Sequence, residues 1–116
     1  MNALADPLDH LDPADVLART IWGEARGESK AGREAVAAVV MNRVGVAGRH
    51  GGRFWWGNDV VSVCLKPWQF SCWNANDPNR AKLQAVDENN RVFAQCRRIA
   101  DAALTGELDD PTDGAT

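Results

Sequence analysis

Residues 18–44 read A-R-T-I-W-G-E-A-R-G-E-S-K-A-G-R-E-A-V-A-A-V-V-M-N-R-V. Two helical patterns meet in this stretch at Gly27, and the placement of its acidic residues governs everything that follows. Upstream, Asp12 precedes Pro13 and Asp15 falls in the first turn, which is an N-cap with Pro at the first helical position. A helix over about 13–26 is predicted, with Gly27 as its stop. Downstream, a second helix is predicted from Ser29 or Lys30 to Val44, ended by Gly45. Val36, Val39, Val40 and Val44 share one of its faces, and Ala31, Ala35 and Ala38 keep the adjoining surface small enough for close packing.

On the first helix a rotation of about 100° per residue sets each side chain. With Leu17 at zero, Ile21 lies near 40°, Glu24 near −20° and Glu28 near 20° if the helix continues, by rough reckoning. Arg19 and Arg26 point the other way. Glu24 therefore extends the stripe that buries Leu17 and Ile21. A half-buried carboxyl with no cation beside it keeps its proton longer, which suits a general acid. Gly23, Ala25 and Gly27 leave room for a substrate. The plainer alternative is a solvated i, i+4 pair, with Glu28 capping the second helix.

Working outward, residues 45–59, G-V-A-G-R-H-G-G-R-F-W-W-G-N-D, have no clear period and read as a loop of functional length. Val60–Leu65 reads as a short strand broken by Pro67. Asp77-Pro78 repeats the cap signal and starts a helix over about 78–86. The last helix, about 88–105, carries Val92, Cys96, Ile99 and Ala103 on one stripe. Residues 1–12 read as a flexible arm and 13–116 as one domain, since 116 residues suffice for one core. The fold class expected is α+β, mainly α, with a small β element.

A net charge of −3 with scattered cations argues against nucleic acid. No run is long enough to span a membrane, and the N-terminus lacks the basic and apolar regions of a secretory signal. A monomer is expected. The chain has five Trp, three Phe and no Tyr, which suits either packing or a platform for flat, amphipathic ligands such as sugars. Cys64, Cys72 and Cys96 form no C-x-x-C pair, and His10 and His50 offer no zinc spacing, so neither a metal nor an organic cofactor is expected. Cys96 reads as a buried thiol; a Cys64–Cys72 or Cys72–Cys96 bridge stays open.

The 18–44 stretch resembles the opening motif of the SleB-type cell wall hydrolases, a family of spore cortex-lytic enzymes and phage endolysins. K-P-W-Q-F-S-C-W-N (66–74) is similar to that family's second block and L-D-D-P-T-D-G-A-T (108–116) to its third. The resemblance implies a lysozyme-like domain acting on peptidoglycan glycan strands, at the β-1,4 bond between N-acetylmuramic acid and N-acetylglucosamine. It implies a lytic transglycosylase that leaves 1,6-anhydro ends. Its catalytic glutamate, the first of G-E-A-R-G-E, corresponds to Glu24, the residue the face argument selects. Glu28 is the candidate second carboxylate that a hydrolytic, muramidase-type reaction would use. Trp68, Gln69, Phe70, Ser71 and Trp73 are the candidate substrate-binding residues. In the family an aromatic-rich segment follows the third block, so a chain ending at Thr116 is expected to lack part of the cleft wall. Action at the cell wall implies export, for which holin-dependent phage release is one route. The rival readings are a non-catalytic peptidoglycan-binding module, and an amidase or peptidase built on zinc or a Cys/His pair.

Overall fold

The structure is a computed structural model and describes residues 11–52 and 54–116. The flexible arm expected over 1–12 lies almost wholly outside the described residues, as does His10.

Helix α1 runs Pro13–Ala25, and the Asp12 side chain caps it by accepting from the Ala14 N–H at 3.1 Å. Helix α2 runs Lys30–Arg49, capped by Ser29. It passes through Gly45, which had been expected to stop it. One glycine costs a helix only about 1 kcal/mol, and the burial of Ala47 beyond it favours another turn. The stop is the Gly51–Gly52 pair instead. Both residues have positive φ, and the Gly52 N–H returns to the Ala47 carbonyl at 2.9 Å. The expected loop therefore begins about five residues late.

Helix α3, Val60–Leu65, corrects the strand assigned to those residues. The β-branched run suggested a strand, but Asp59 and Ser62 cap one another's backbone in a reciprocal box that starts a helix. Val60, Val61, Val63 and Cys64 are buried on it. Beta propensity mostly expresses packing on a pleated surface, so a local cap with helical burial overrides it. Gly57 turns the chain into this helix with φ +114°. A Cβ there would meet the Ser62 and Val63 backbone at 2.9 Å. No strand occurs among the described residues, so the small β element is corrected too.

A single 3₁₀ turn, Ser71–Trp73, leads to α4, Pro78–Ala85, capped by Asp77, and α5, Arg91–Leu104, capped by Asn90. Helix α1 is the hub, packing on α2, α3, α4, α5 and the 3₁₀ turn. Leu17, Ala18 and Ile21 are fully buried in one cluster with Phe93, Cys96 and Ala100 of α5 and with Leu83 of α4. Burying each large side chain contributes about 1.5–3 kcal/mol, which explains why the α1 stripe organises the rest. The domain is mainly helical.

Candidate functional site

The site grows from the polar members of the α1 stripe. Thr20 is completely buried. Its hydroxyl donates to the Val16 carbonyl at 2.8 Å and accepts from Trp73 Nε1 at 2.9 Å. One turn further along the same face stands Glu24. Between them Gly23 lets the 66–74 block approach the helix. A Cβ on Gly23 would lie 2.8 Å from Cys72 Sγ and 2.8 Å from Leu83 Cδ2. The close approach brings the thiol and backbone N–H of Cys72 toward the Glu24 carboxylate.

Glu24 is next to last in α1, and the residue is exposed, more open than the stripe argument required. The cause is local: α1 ends one residue later, and Gly27 brings no side chain to cover it. Nevertheless its carboxyl stands close enough to the protein that partial burial raises its pKa. Contacts with Cys72 lower it by less, and the negative charge of Asp77 adds to the rise. Among the described residues no Lys or Arg pairs with Glu24. Arg19 is held by Asp15 at 2.9 Å and by the Leu83 and Val86 carbonyls at 2.6 and 2.7 Å. Arg26 lies over the Trp22 ring at 4.4 Å and donates to Asn79 Oδ1 at 2.6 Å. Both arginines face away, as the rotation predicted.

Glu28 does not continue the stripe. With α1 ended at Ala25, its N–H turns back to the Ala25 carbonyl at 2.9 Å. The side chain is exposed, and its backbone carbonyl accepts from Arg33. Nor does it cap α2, since Ser29 fills that position.

The aromatic block divides by environment. Trp68 is 77% exposed and takes φ +68°, a conformation rare outside glycine. Trp73 is partly buried and pinned by Thr20. Both line a hollow of about 380 Å³ with Leu65, Lys66, Asn74 and Arg80. Glu24 does not line this hollow. Cys72 and Asp77, the residues that face Glu24, bracket the segment 73–76 that forms one of its walls. Phe70 has its ring in the core, at 7% exposure, so only its backbone is free to touch a ligand. Ser71 is exposed.

Gln69 points to a residue that sequence reasoning missed. Its Oε1 accepts from Arg43 Nη1 at 3.3 Å. Arg43 also donates to the Thr116 carbonyl at 3.1 and 3.3 Å, and its guanidinium lies 5.1 Å from the Phe70 ring centre. Beside it, Asn42 Nδ2 donates to Asp110 Oδ2 at 2.9 Å and to the Ala115 carbonyl at 3.0 Å. The M-N-R of α2 thus ties the second and third blocks to the first. Burial lowers the Arg43 pKa, and the neighbouring Cys64 opposes this. A signal was available: Arg43 sits among Val36, Val40 and Ala47 at helical spacing, as Glu24 does on α1.

All three cysteines are free and buried. Burial pushes the Cys64 thiol up to about 12 and Cys96 to about 11, and drives Cys72 higher still with help from the adjacent Glu24. Neutral, enclosed thiols are poor nucleophiles. His50 packs instead on Phe54, with ring centres 4.8 Å apart. In the native state a thiol reagent at pH 8 is expected to react slowly, with all three thiols titrating after unfolding. Fast native reaction of any one of them would expose an accessible thiolate and revive the Cys/His reading.

The described residues thus hold a carboxyl with a raised pKa and no cationic partner on α1, and, across the segment 72–77, a hollow walled by Trp68 and Trp73. Residues 27–116 match the family model described as Cell Wall Hydrolase, and the chain belongs to that family. Its class of activity is accordingly the degradation of peptidoglycan, and its place of action the cell wall. The match begins three residues after Glu24. Comparison with curated proteins and with solved structures gives no significant match. No helix of the described residues is long and apolar enough to cross a membrane.

Proposed function

We propose that this chain is a lytic transglycosylase with Glu24 as its single acid and base. It cleaves the β-1,4 bond between N-acetylmuramic acid and N-acetylglucosamine, on a lysozyme-like arrangement of helices. The observation that carries the reading is the environment of Glu24: a raised pKa, no cationic partner among the described residues, and the Ser71–Trp73 turn brought against it by Gly23.

The protonated Glu24 gives its proton to the glycosidic oxygen as the C1–O bond breaks and oxocarbenium character develops at the muramic C1. The muramic C6 hydroxyl then attacks C1, and the Glu24 carboxylate takes up the hydroxyl proton. One bond forms, one breaks, no water is consumed, and the acid is regenerated. A hydrolytic route needs a second carboxylate to activate water. Glu28 stands beyond the end of α1 with its side chain beside Gly32 of α2, poorly set to supply it, which favours the intramolecular hydroxyl. Trp68 and Trp73 offer faces for sugar stacking, while Gln69, Ser71 and the Phe70 backbone offer hydrogen bonds.

Mass spectrometry of digested, purified peptidoglycan tests the proposal. Anhydro-muramic ends are expected. Reducing muramic ends would establish hydrolysis with the same acid, released peptides would establish an amidase or peptidase, and binding without products would establish a non-catalytic module.

A further inference from the structure

The hollow between residues 65–68 and 73–76 has an electrostatic character that the glycan-cleaving reading does not use. Lys66 and Arg80 line it and no carboxylate does, in a chain whose net charge is −3. Arg80 also borders a second hollow of about 370 Å³, which shares Leu65 and Trp73 with the first, so the two adjoin along one rim; the one carboxylate lining that second hollow, Asp15, is paired with Arg19. Every other arginine near α1 is engaged: Arg19 by Asp15 and two carbonyls, Arg26 by Asn79, Arg33 by Gln95 and the Glu28 carbonyl. Arg80 has no side-chain acceptor among the described residues, and its Nε is shut off from water without a partner. A desolvated donor on a cation that forms no ion pair is costly, and an anion seated beside it lowers that cost. Guanidinium is the side chain best suited to hold a carboxylate.

We propose that this hollow binds a carboxylate of the peptide stem carried by the muramic acid, with Arg80 and Lys66 as its anion-binding residues and Trp68 and Trp73 as apolar walls. The inference rests on the peptidoglycan reading for the identity of the ligand. The stem is a short, acidic peptide attached to the sugar next to the scissile bond. The segment 72–77 links the two places: its ends face Glu24 and its middle lines the hollow. An enzyme built this way prefers stem-bearing strands to bare glycan.

Calorimetric titration of the intact protein with a single muramyl peptide tests this, because that probe holds no glycosidic bond to cleave. The free-acid form is expected to bind about tenfold tighter than the same molecule with its carboxyls amidated, the scale of a charge-assisted hydrogen bond. The preference is expected to shrink with added salt, to vanish in Arg80→Gln, to survive in part in Arg80→Lys, and to weaken in Lys66→Gln. Equal binding of the two forms, or a preference untouched by Arg80→Gln and Lys66→Gln, overturns the proposal. So does a glycerol-phosphate polymer that occupies the site and is not displaced by the muramyl peptide. If the free-acid preference and its loss in Arg80→Gln are found while no glycan is cleaved, the stem site stands and the reaction proposed for Glu24 falls.

Discussion

Glu24→Gln is expected to lower peptidoglycan cleavage by at least about a hundredfold, the lower end of what a positioned general acid contributes. The amide keeps the shape and cannot give up a proton. The pH dependence follows from the direction of the shift. Desolvation raises the carboxyl's pKa above its ordinary value, so the protonated, competent form persists to higher pH, and activity falls as pH rises through that raised pKa. The same sign applies to stability. A carboxylate harder to ionise in the folded state favours folding most below its unfolded pKa and loses that advantage as pH rises through the folded one. Glu24→Gln is therefore expected to be inactive yet at least as stable as the parent at neutral pH, with the thermal unfolding midpoint as the check. Glu28→Gln serves as the control, since its exposed side chain stands outside α1, and it is expected to change little. Substantial activity in Glu24→Gln, or loss confined to Glu28→Gln, would move the chemistry elsewhere.

Gly23→Val is expected to be the most damaging small change to the scaffold of the site. The first carbon added already lies 2.8 Å from Cys72 Sγ, 2.9 Å from Cys72 Cβ and 2.8 Å from Leu83 Cδ2. Neither neighbour can yield easily, because Leu83 is fully buried and Cys72 nearly so. Gly23 is third from the end of α1, and replacing it with β-branched Val improves helix propensity by only roughly a few tenths of a kcal/mol. Overpacking opposes this with about 1–3 kcal/mol, and two further methyl groups push toward the upper end. A fall in the unfolding midpoint of roughly 5–15 °C is expected for a domain near this size. Separating the Ser71–Trp73 turn from α1 also withdraws Cys72 from Glu24, so activity is expected to fall at temperatures where the variant is still folded. An unchanged midpoint together with unchanged activity would show that the close approach matters to neither.

Both experiments probe the junction between α1 and the 66–74 block, and the two sides of that junction were not equally readable in advance. The direction of Glu24 was legible because it depends only on helical rotation from Leu17 and Ile21, and the caps Asp12-Pro13 and Asp77-Pro78 were legible because they act within a few residues. Val60–Leu65 is a helix despite its branched side chains because the Asp59/Ser62 box, itself a local signal, starts one. Gly45 does not stop α2, which runs on to the Gly51–Gly52 turn with Ala47 fully buried beyond the glycine.

What the chain alone established was local: four of the five helices, the Asp12 and Asp77 caps, and the side of α1 on which Glu24 falls. These follow from backbone geometry and from side chains three or four positions apart. The joining of Arg43 to Gln69 and Thr116, 26 and 73 residues away, belongs to the folded molecule. So do the pairing of Trp73 with Thr20 and the hollow beside Arg80. Each depends on which distant surfaces exclude water together, and no periodicity along one segment encodes that.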